Sequence, residues 1–311
     1  MEMRNVLCQE LENLMNQDDK IIIIDADLSK ANGTFSLREK FPTRALDVGI
    51  AEQNMASIAA GLASYGFKPI ILSFTPFATR RICDQIAVSI AYAKQNVKII
   101  GTDPGLAAEL NGGTHMSVED IGVLRSIPSV VIFEPVDNTQ LKQALPKVIN
   151  YNGPVYTRMF RKETPDIFDK INNYKFDLFK GDLIQEGSDV TIIASGILVS
   201  EALKASEILS QKNIKPEIIN IHTIKPIDEE IIIKSAQKTR KVITCENHNI
   251  LGGLGSAVCE VLSKNLPTPV ETIGIKDIFG EVGKLQELKN KFEMTADDIV
   301  KAYYKLKTKF N

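Results

Sequence analysis

DVGIAEQNMASIAAGLASYGFKPIILSFTPFATR, residues 47–80, is the stretch from which the fold follows. Between Asn54 and Ala63 the residues are small or apolar and none is charged, a composition that predicts a helix buried on most sides. Gly66 ends it. Pro69 then opens the apolar run IILSF, which has the length of a strand. Glu52 therefore falls at a helix start, and Phe74 and Phe77 follow the next strand. Taken alone, such a glutamate need do no more than stabilise the positive end of the helix dipole.

Outward from this stretch the same rhythm repeats. Upstream, IIIIDADL (21–28) reads as a central parallel strand buried on both faces. Asp25 and Asp27 lie at its C-terminal end, where open α/β sheets place ligands. Downstream, residues 78–95 carry Ile82, Ile86, Ile90 and Ala93 at helical spacing, and NVKIIG is the next strand. The segment TDPGLAAELNGGTHMS (102–117) follows and holds His115, one of 3 histidines. SVVIFEP and GPVYTRM are further strands, the latter carrying Arg158, with Arg161 and Lys162 just beyond. Strands alternating with helices imply crossover connections and parallel sheets.

Residues 161–187 are polar and aperiodic and read as a connection, after which strand–helix alternation resumes at Asp189. The predicted fold class is α/β, two doubly wound domains with mainly parallel sheets: 1–165, a linker at 166–188, and 189–311. In the second domain ENHNILGGLGSAVCEVLSKN places glycines ahead of a helix. It invites a phosphate-loop reading, but it matches neither GxxxxGK[ST] nor GxGxxG, and close helix–strand packing explains small residues equally well. Thr295 is expected to cap the last helix.

Composition narrows the function classes. The chain has 311 residues, a formal net charge of −2 and 44% hydrophobic content. That suits about two globular domains and lacks the basic excess of a nucleic-acid surface. No apolar run approaches the ~20 residues of a membrane helix. The first residues form an amphipathic helix instead of an export signal, so a cytoplasmic location is expected. Cys8, Cys83, Cys245 and Cys259 form no CxxC pair and read as reduced thiols, mostly buried, with no metal site in this chain.

The pieces GIAEQNM, SFTPF, ELNGGTHMS and TRM, in this order, resemble the pyrimidine-binding domain of the transketolase family of thiamine diphosphate enzymes. The remainder is similar, more loosely, to the family's C-terminal domain. The resemblance implies that Glu52 hydrogen-bonds N1′ of the cofactor's aminopyrimidine, and that Phe74 and Phe77 wall the ring. Asp27 and Arg80 are assigned to the cofactor as well. His115 matches the family histidine that faces substrate and handles protons and oxygens at the reacting carbon. Arg158 matches the arginine that binds the sugar's phosphate, a task suited to a fixed bidentate donor. Two positions depart from the family pattern. Gly101-Thr102-Asp103 stands where an additional histidine is usual near the start of the loop, and Asn111 replaces an aspartate; both positions normally contact sugar hydroxyls, which implies that Asp103 and Asn111 bind substrate.

In this family a GDG motif and a distant asparagine hold the diphosphate and its metal. This chain has neither, since Gly181-Asp182-Leu183 is no match. The resemblance therefore implies a split enzyme. A partner, the N-terminal transketolase subunit, would supply the diphosphate site and its Mg2+ or Ca2+, in an α2β2 assembly that transfers a two-carbon ketol unit from a ketose phosphate to an aldose. The alternatives are the β subunit of a 2-oxoacid dehydrogenase and a non-catalytic interaction subunit.

Overall fold

Runs of isoleucine and valine become the central strands. In the computed structural model, which describes residues 1–309, the chain divides into two compact units, 1–104 with 123–178, and 105–122 with 179–309. The first unit contains strands β1 (Ile21–Asp25), β2 (Ala45–Asp47), β3 (Lys68–Phe74), β4 (Lys98–Thr102), β5 (Val131–Phe133) and β6 (Val155–Met159). They lie side by side in the order β5-β6-β4-β3-β1-β2, every pair parallel. Every residue of β1, β4 and β6 is buried, as expected where helices cover both faces of a sheet.

Crossovers and turns supply α1 (Met3–Gln17), α2 (Ser29–Asn32), α3 (Phe35–Lys40), α4 (Glu52–Ser64), α5 (Thr75–Ala78), α6 (Asp120–Arg125) and α7 (Asn138–Asn150). α1 packs on α7 and β1, and α4 on β3 and β1. The helix expected over 78–95 is instead a 3-10 turn, Arg80–Ile82, followed by a π-helical run, Gln85–Tyr92. The wider π turn changes which residues return to the core. Ile82, Ile86 and Ile90 are buried as expected, but Ala91 takes the place of Ala93, which is exposed.

The second unit has β7 (Asp182–Gln185), β8 (Val190–Ala194), β9 (Pro216–Asn220), β10 (Thr223–Lys225), β11 (Val242–Asn249) and β12 (Val270–Ile275). One sheet runs β12-β11-β8-β9-β7, parallel except for the antiparallel edge strand β7. Its helices are α8 (Leu198–Ser210), α9 (Glu229–Thr239), α10 (Leu254–Asn265), α11 (Leu285–Lys291) and α12 (Ala296–Lys309). α8 packs with α12, and α9 with α10, against the sheet. Thr295 precedes α12, and its backbone N–H and hydroxyl both donate to the Asp298 carboxylate, at 3.1 and 2.6 Å.

Of the stretch 166–188, Ile167, Phe168, Phe176 and Leu178 are buried within the first unit, and Asp182–Gln185 forms β7. Only part of it thus serves as connection. The segment 105–122 belongs to the second unit although it lies inside the first by sequence. Among the described residues no helix is long and apolar enough to cross a membrane. The four cysteines are free; Cys245 is buried, Cys8 and Cys83 are half-buried, and Cys259 is exposed.

The glycine-rich start of α10 has a clear purpose. Glu246, fully buried on β11, accepts the N–H groups of Leu254 (2.6 Å) and Gly255 (2.9 Å). The chain's own carboxylate therefore occupies the positive end of this helix. A Cβ at Gly253 would fall on that carboxylate, and one at Gly255 would stand 3.0 Å from it. Small residues are required here by this contact, and the phosphate-loop reading is set aside. Glu246→Ala leaves two buried N–H groups unpaired, and we expect it to cost about 2–3 kcal/mol in urea unfolding. A loss below about 0.5 kcal/mol, the size of an ordinary surface substitution, would contradict this role.

Candidate functional site

The C-terminal edge of β2 shapes the approach to Glu52. Asp47 accepts the N–H groups of Asp27 (3.1 Å) and Gly49 (2.9 Å) and pairs with Arg38 at 3.0 Å. Gly49 has φ +70°, a left-handed turn that glycine adopts without strain. The chain then enters α4 with Glu52 as its first residue, only 3% exposed. Arg81 Nη1 donates to the Glu52 carboxylate at 2.6 Å, and the same guanidinium lies 3.6 Å from the centre of the Phe77 ring.

At the end of β3 the strand turns sharply. Pro76 stands in the first turn of α5, Thr75 donates its hydroxyl to the Thr102 carbonyl at 2.9 Å, and Thr79 donates to the Thr75 carbonyl at 2.7 Å. This turn brings the Phe74 and Phe77 rings to 6.2 Å, tilted by 37°. Arg161 lies over Phe74 at 4.7 Å, and Asp103 grips it through both its side chain (2.6 Å) and its backbone N–H (3.0 Å). Burial raises the Asp103 carboxyl above its ordinary value even though Arg161 pulls it down. Glu52, Arg81, Phe77, Phe74, Arg161 and Asp103 thus form one unbroken run of contacts, with aromatic faces between two cations.

Beneath this run a buried polar network ties the strand ends together. Asp25 accepts from Asn32 (3.0 Å) and Thr34 (2.8 Å), and the Thr102 hydroxyl donates to Asn32 at 3.0 Å. Asp27 is exposed at the sheet's edge with φ +58°, a left-handed backbone that is uncommon outside glycine. Arg80 is exposed in the 3-10 turn beside Arg81.

Arg158 is held inside the first unit. Its side chain is fully buried on β6 and paired with Glu134 at 2.6 Å, so its charge is neutralised inside the unit. The pattern TRM places the arginine on a strand whose residues are all buried, so its side chain is enclosed whichever face it takes. His115 and Asn111 belong to the second unit. His115 is half-buried and its Nδ1 hydrogen-bonds the Thr114 hydroxyl at 2.9 Å, while Asn111 is exposed. Their segment is fastened to β11: Leu106 donates to the Asn247 side chain (2.8 Å), Asn249 donates to the Val118 carbonyl (2.7 Å), and Gly122 donates to His248 (3.3 Å). Asn247 and Arg81 were not singled out from sequence. For Arg81 the available signal was a cation shortly after the aromatic turn TPF.

Residues 1–166 match the transketolase pyrimidine binding domain and residues 180–299 the transketolase C-terminal domain. The chain belongs to the transketolase family. It is 47% identical over 309 residues to the 6-deoxy-6-sulfo-D-fructose transketolase subunit SqwH of Clostridium sp. (strain MSTE9), covering 99% of this chain and 95% of that one. It is 41% identical over 300 residues to a putative transketolase C-terminal section of Methanocaldococcus jannaschii, covering 96% and 94%. Among solved structures it is similar to a split gene transketolase described as an inactive beta4 tetramer, with a TM-score of 0.91 and 38% identity over 99% of each chain. The chain thus resembles subunits of split transketolases along nearly its whole length, and the family implies thiamine diphosphate.

Burial pushes the Asp25 carboxyl up to about 6, against the hydrogen bonds from Thr34 and Asn32. An unfolded aspartate titrates near ~4, so between about pH 4 and 6 the folded chain keeps a proton that the unfolded chain releases. This contribution to stability is whole below that window and is lost as pH rises through it. We expect Asp25→Asn to flatten the fall in urea-unfolding stability between about pH 4 and 6.5 by roughly 2–3 kcal/mol. An unchanged slope would contradict it.

Proposed function

We propose that this chain is the pyrimidine-side subunit of a two-subunit transketolase that moves a two-carbon ketol unit from an anionic ketose, a phosphate or a sulfonate, to an aldose acceptor. The observation that carries the reading is a buried carboxylate, Glu52, facing a flat hydrogen-bonding group stacked on Phe77. A niche that accepts a planar guanidinium in this way fits an aminopyrimidine ring. Thiamine diphosphate, when bound, supplies the carbon nucleophile and the electron sink for cleaving the bond next to the donor's carbonyl.

The chain's own residues do the rest. Glu52 holds or shares a proton at N1′, in a site dry enough for that exchange to be directed at the ring. Phe74 and Phe77 exclude water and fix the ring plane. Asp27, at the strand's C-terminal edge, and Arg80 border the cofactor. In place of Arg158, Arg161 is the cation that faces the aromatic run, held by Asp103, and it takes the donor's anionic end. His115 handles protons and hydroxyls of the sugar, and Asn111, from the same segment, serves as a neutral donor and acceptor.

A partner N-terminal transketolase subunit supplies the diphosphate site and its Mg2+ or Ca2+, and the working assembly is α2β2 in the cytoplasm. The solved relative that is made of one kind of subunit is described as inactive, which supports the need for that partner. The SqwH relative supports a donor with a sulfonate in place of a phosphate.

Reconstituted with its partner, the chain should cleave fructose 6-phosphate or its 6-deoxy-6-sulfo analogue and transfer the ketol unit to glyceraldehyde 3-phosphate. Glu52→Gln should lower kcat by about a hundredfold or more while leaving the assembly intact. Unchanged turnover by that variant, or release of carbon dioxide from pyruvate without ketol transfer, would overturn the reading.

A further inference from the structure

A carboxylate at 3% exposure needs a counter-charge, because a buried ion stripped of its partner is strongly destabilising. Arg81 supplies it. One guanidinium serves both surfaces that the proposed function gives to the cofactor's ring: it donates to Glu52 at 2.6 Å and covers the face of Phe77 at 3.6 Å. A planar group this close to the ring leaves no room for a second one on that face.

Arg81 is also built to leave. Its side chain is 40% exposed, in contrast to Glu52, so an outward swing returns the charge to water. Its backbone is held separately, with the Gln53 side chain donating to the Arg81 carbonyl at 3.3 Å and a 3-10 turn around it. The side chain can therefore move without the turn moving. Arg161 cannot substitute for it, since Asp103 and the Ala31 carbonyl hold that guanidinium over Phe74.

We infer that Arg81 is a stand-in for the cofactor's aminopyrimidine: it neutralises Glu52 and covers Phe77 in the free subunit, and it must withdraw when the cofactor enters. The inference rests on the function proposed above. Its consequence is competitive. The fraction of molecules with Arg81 swung out scales the apparent cofactor affinity, so Arg81 weakens binding while stabilising the empty subunit. Occupancy then waits for the extra binding free energy of the partner's diphosphate site, which couples loading to assembly.

Two measurements test this without using turnover. In urea unfolding of the free chain, Arg81→Met should lower the midpoint, and adding Glu52→Gln to it should restore most of the loss, because no unpaired buried charge remains. Strictly additive effects would overturn the pairing role. In the reconstituted complex, thiamine diphosphate with Mg2+ titrated calorimetrically should bind Arg81→Met about tenfold more tightly than the unsubstituted complex. Arg81→Lys keeps the charge without the flat stacking and should fall between them. Equal or weaker binding by Arg81→Met would make Arg81 a ligand or a bystander and would overturn the inference. Failure of the unsubstituted complex to bind the cofactor would count first against the proposed function, and the urea cycle would still report on the Glu52–Arg81 pair.

Discussion

The carboxylate of Glu52, placed out of water at the first residue of α4, is the constraint around which the first unit is arranged. Such a group is tolerated only with a paired charge or strong hydrogen bonds, and its environment here provides a helix dipole and one guanidinium. The left-handed turn at Gly49, the Asp47 hydrogen bonds and the uncharged face of α4 all serve to bring this one side chain to the C-terminal edge of the sheet. Parallel sheets gather their helix starts and loops at that edge, so the placement follows from topology as much as from local sequence.

A second buried glutamate makes an informative contrast. Glu246 also sits at a helix start, but two backbone N–H groups hold its oxygens, and glycines at 253 and 255 let the helix close upon it. Backbone partners cannot swing away, so that site is sealed and structural. Glu52 is paired instead with a half-exposed, flexible side chain. The two buried carboxylates thus differ in the kind of partner they have, backbone N–H groups for Glu246 and a partly exposed side chain for Glu52.

Much of this was legible in the sequence because it depends on short-range pattern. IIIIDADL and IILSF are unambiguous buried strands, the charge-free run after Glu52 marks a buried helix, and SFTPF announces an aromatic turn. What could not be read depended on side-chain direction or on contacts between distant residues. TRM gave the strand but not that Arg158 points inward to Glu134. The glycines before α10 gave a helix start but not its internal carboxylate, which comes from the preceding strand. Helical spacing over 78–95 could not reveal a π-helical run, because the two patterns coincide until Ile90. The partition of 105–122 into the second unit depends on Asn247 and His248, more than a hundred residues along the chain.

We propose that this chain holds one half of a cofactor site and that the other half belongs to another polypeptide. Equilibrium dialysis of thiamine diphosphate, with Mg2+ present, against this chain alone and against an equimolar mixture with the GDG-bearing partner tests it most directly. The expected result is retention by the mixture at one cofactor per pair of subunits and none by this chain alone at the same concentration. Equal retention by the isolated chain, or none by the mixture, would contradict it.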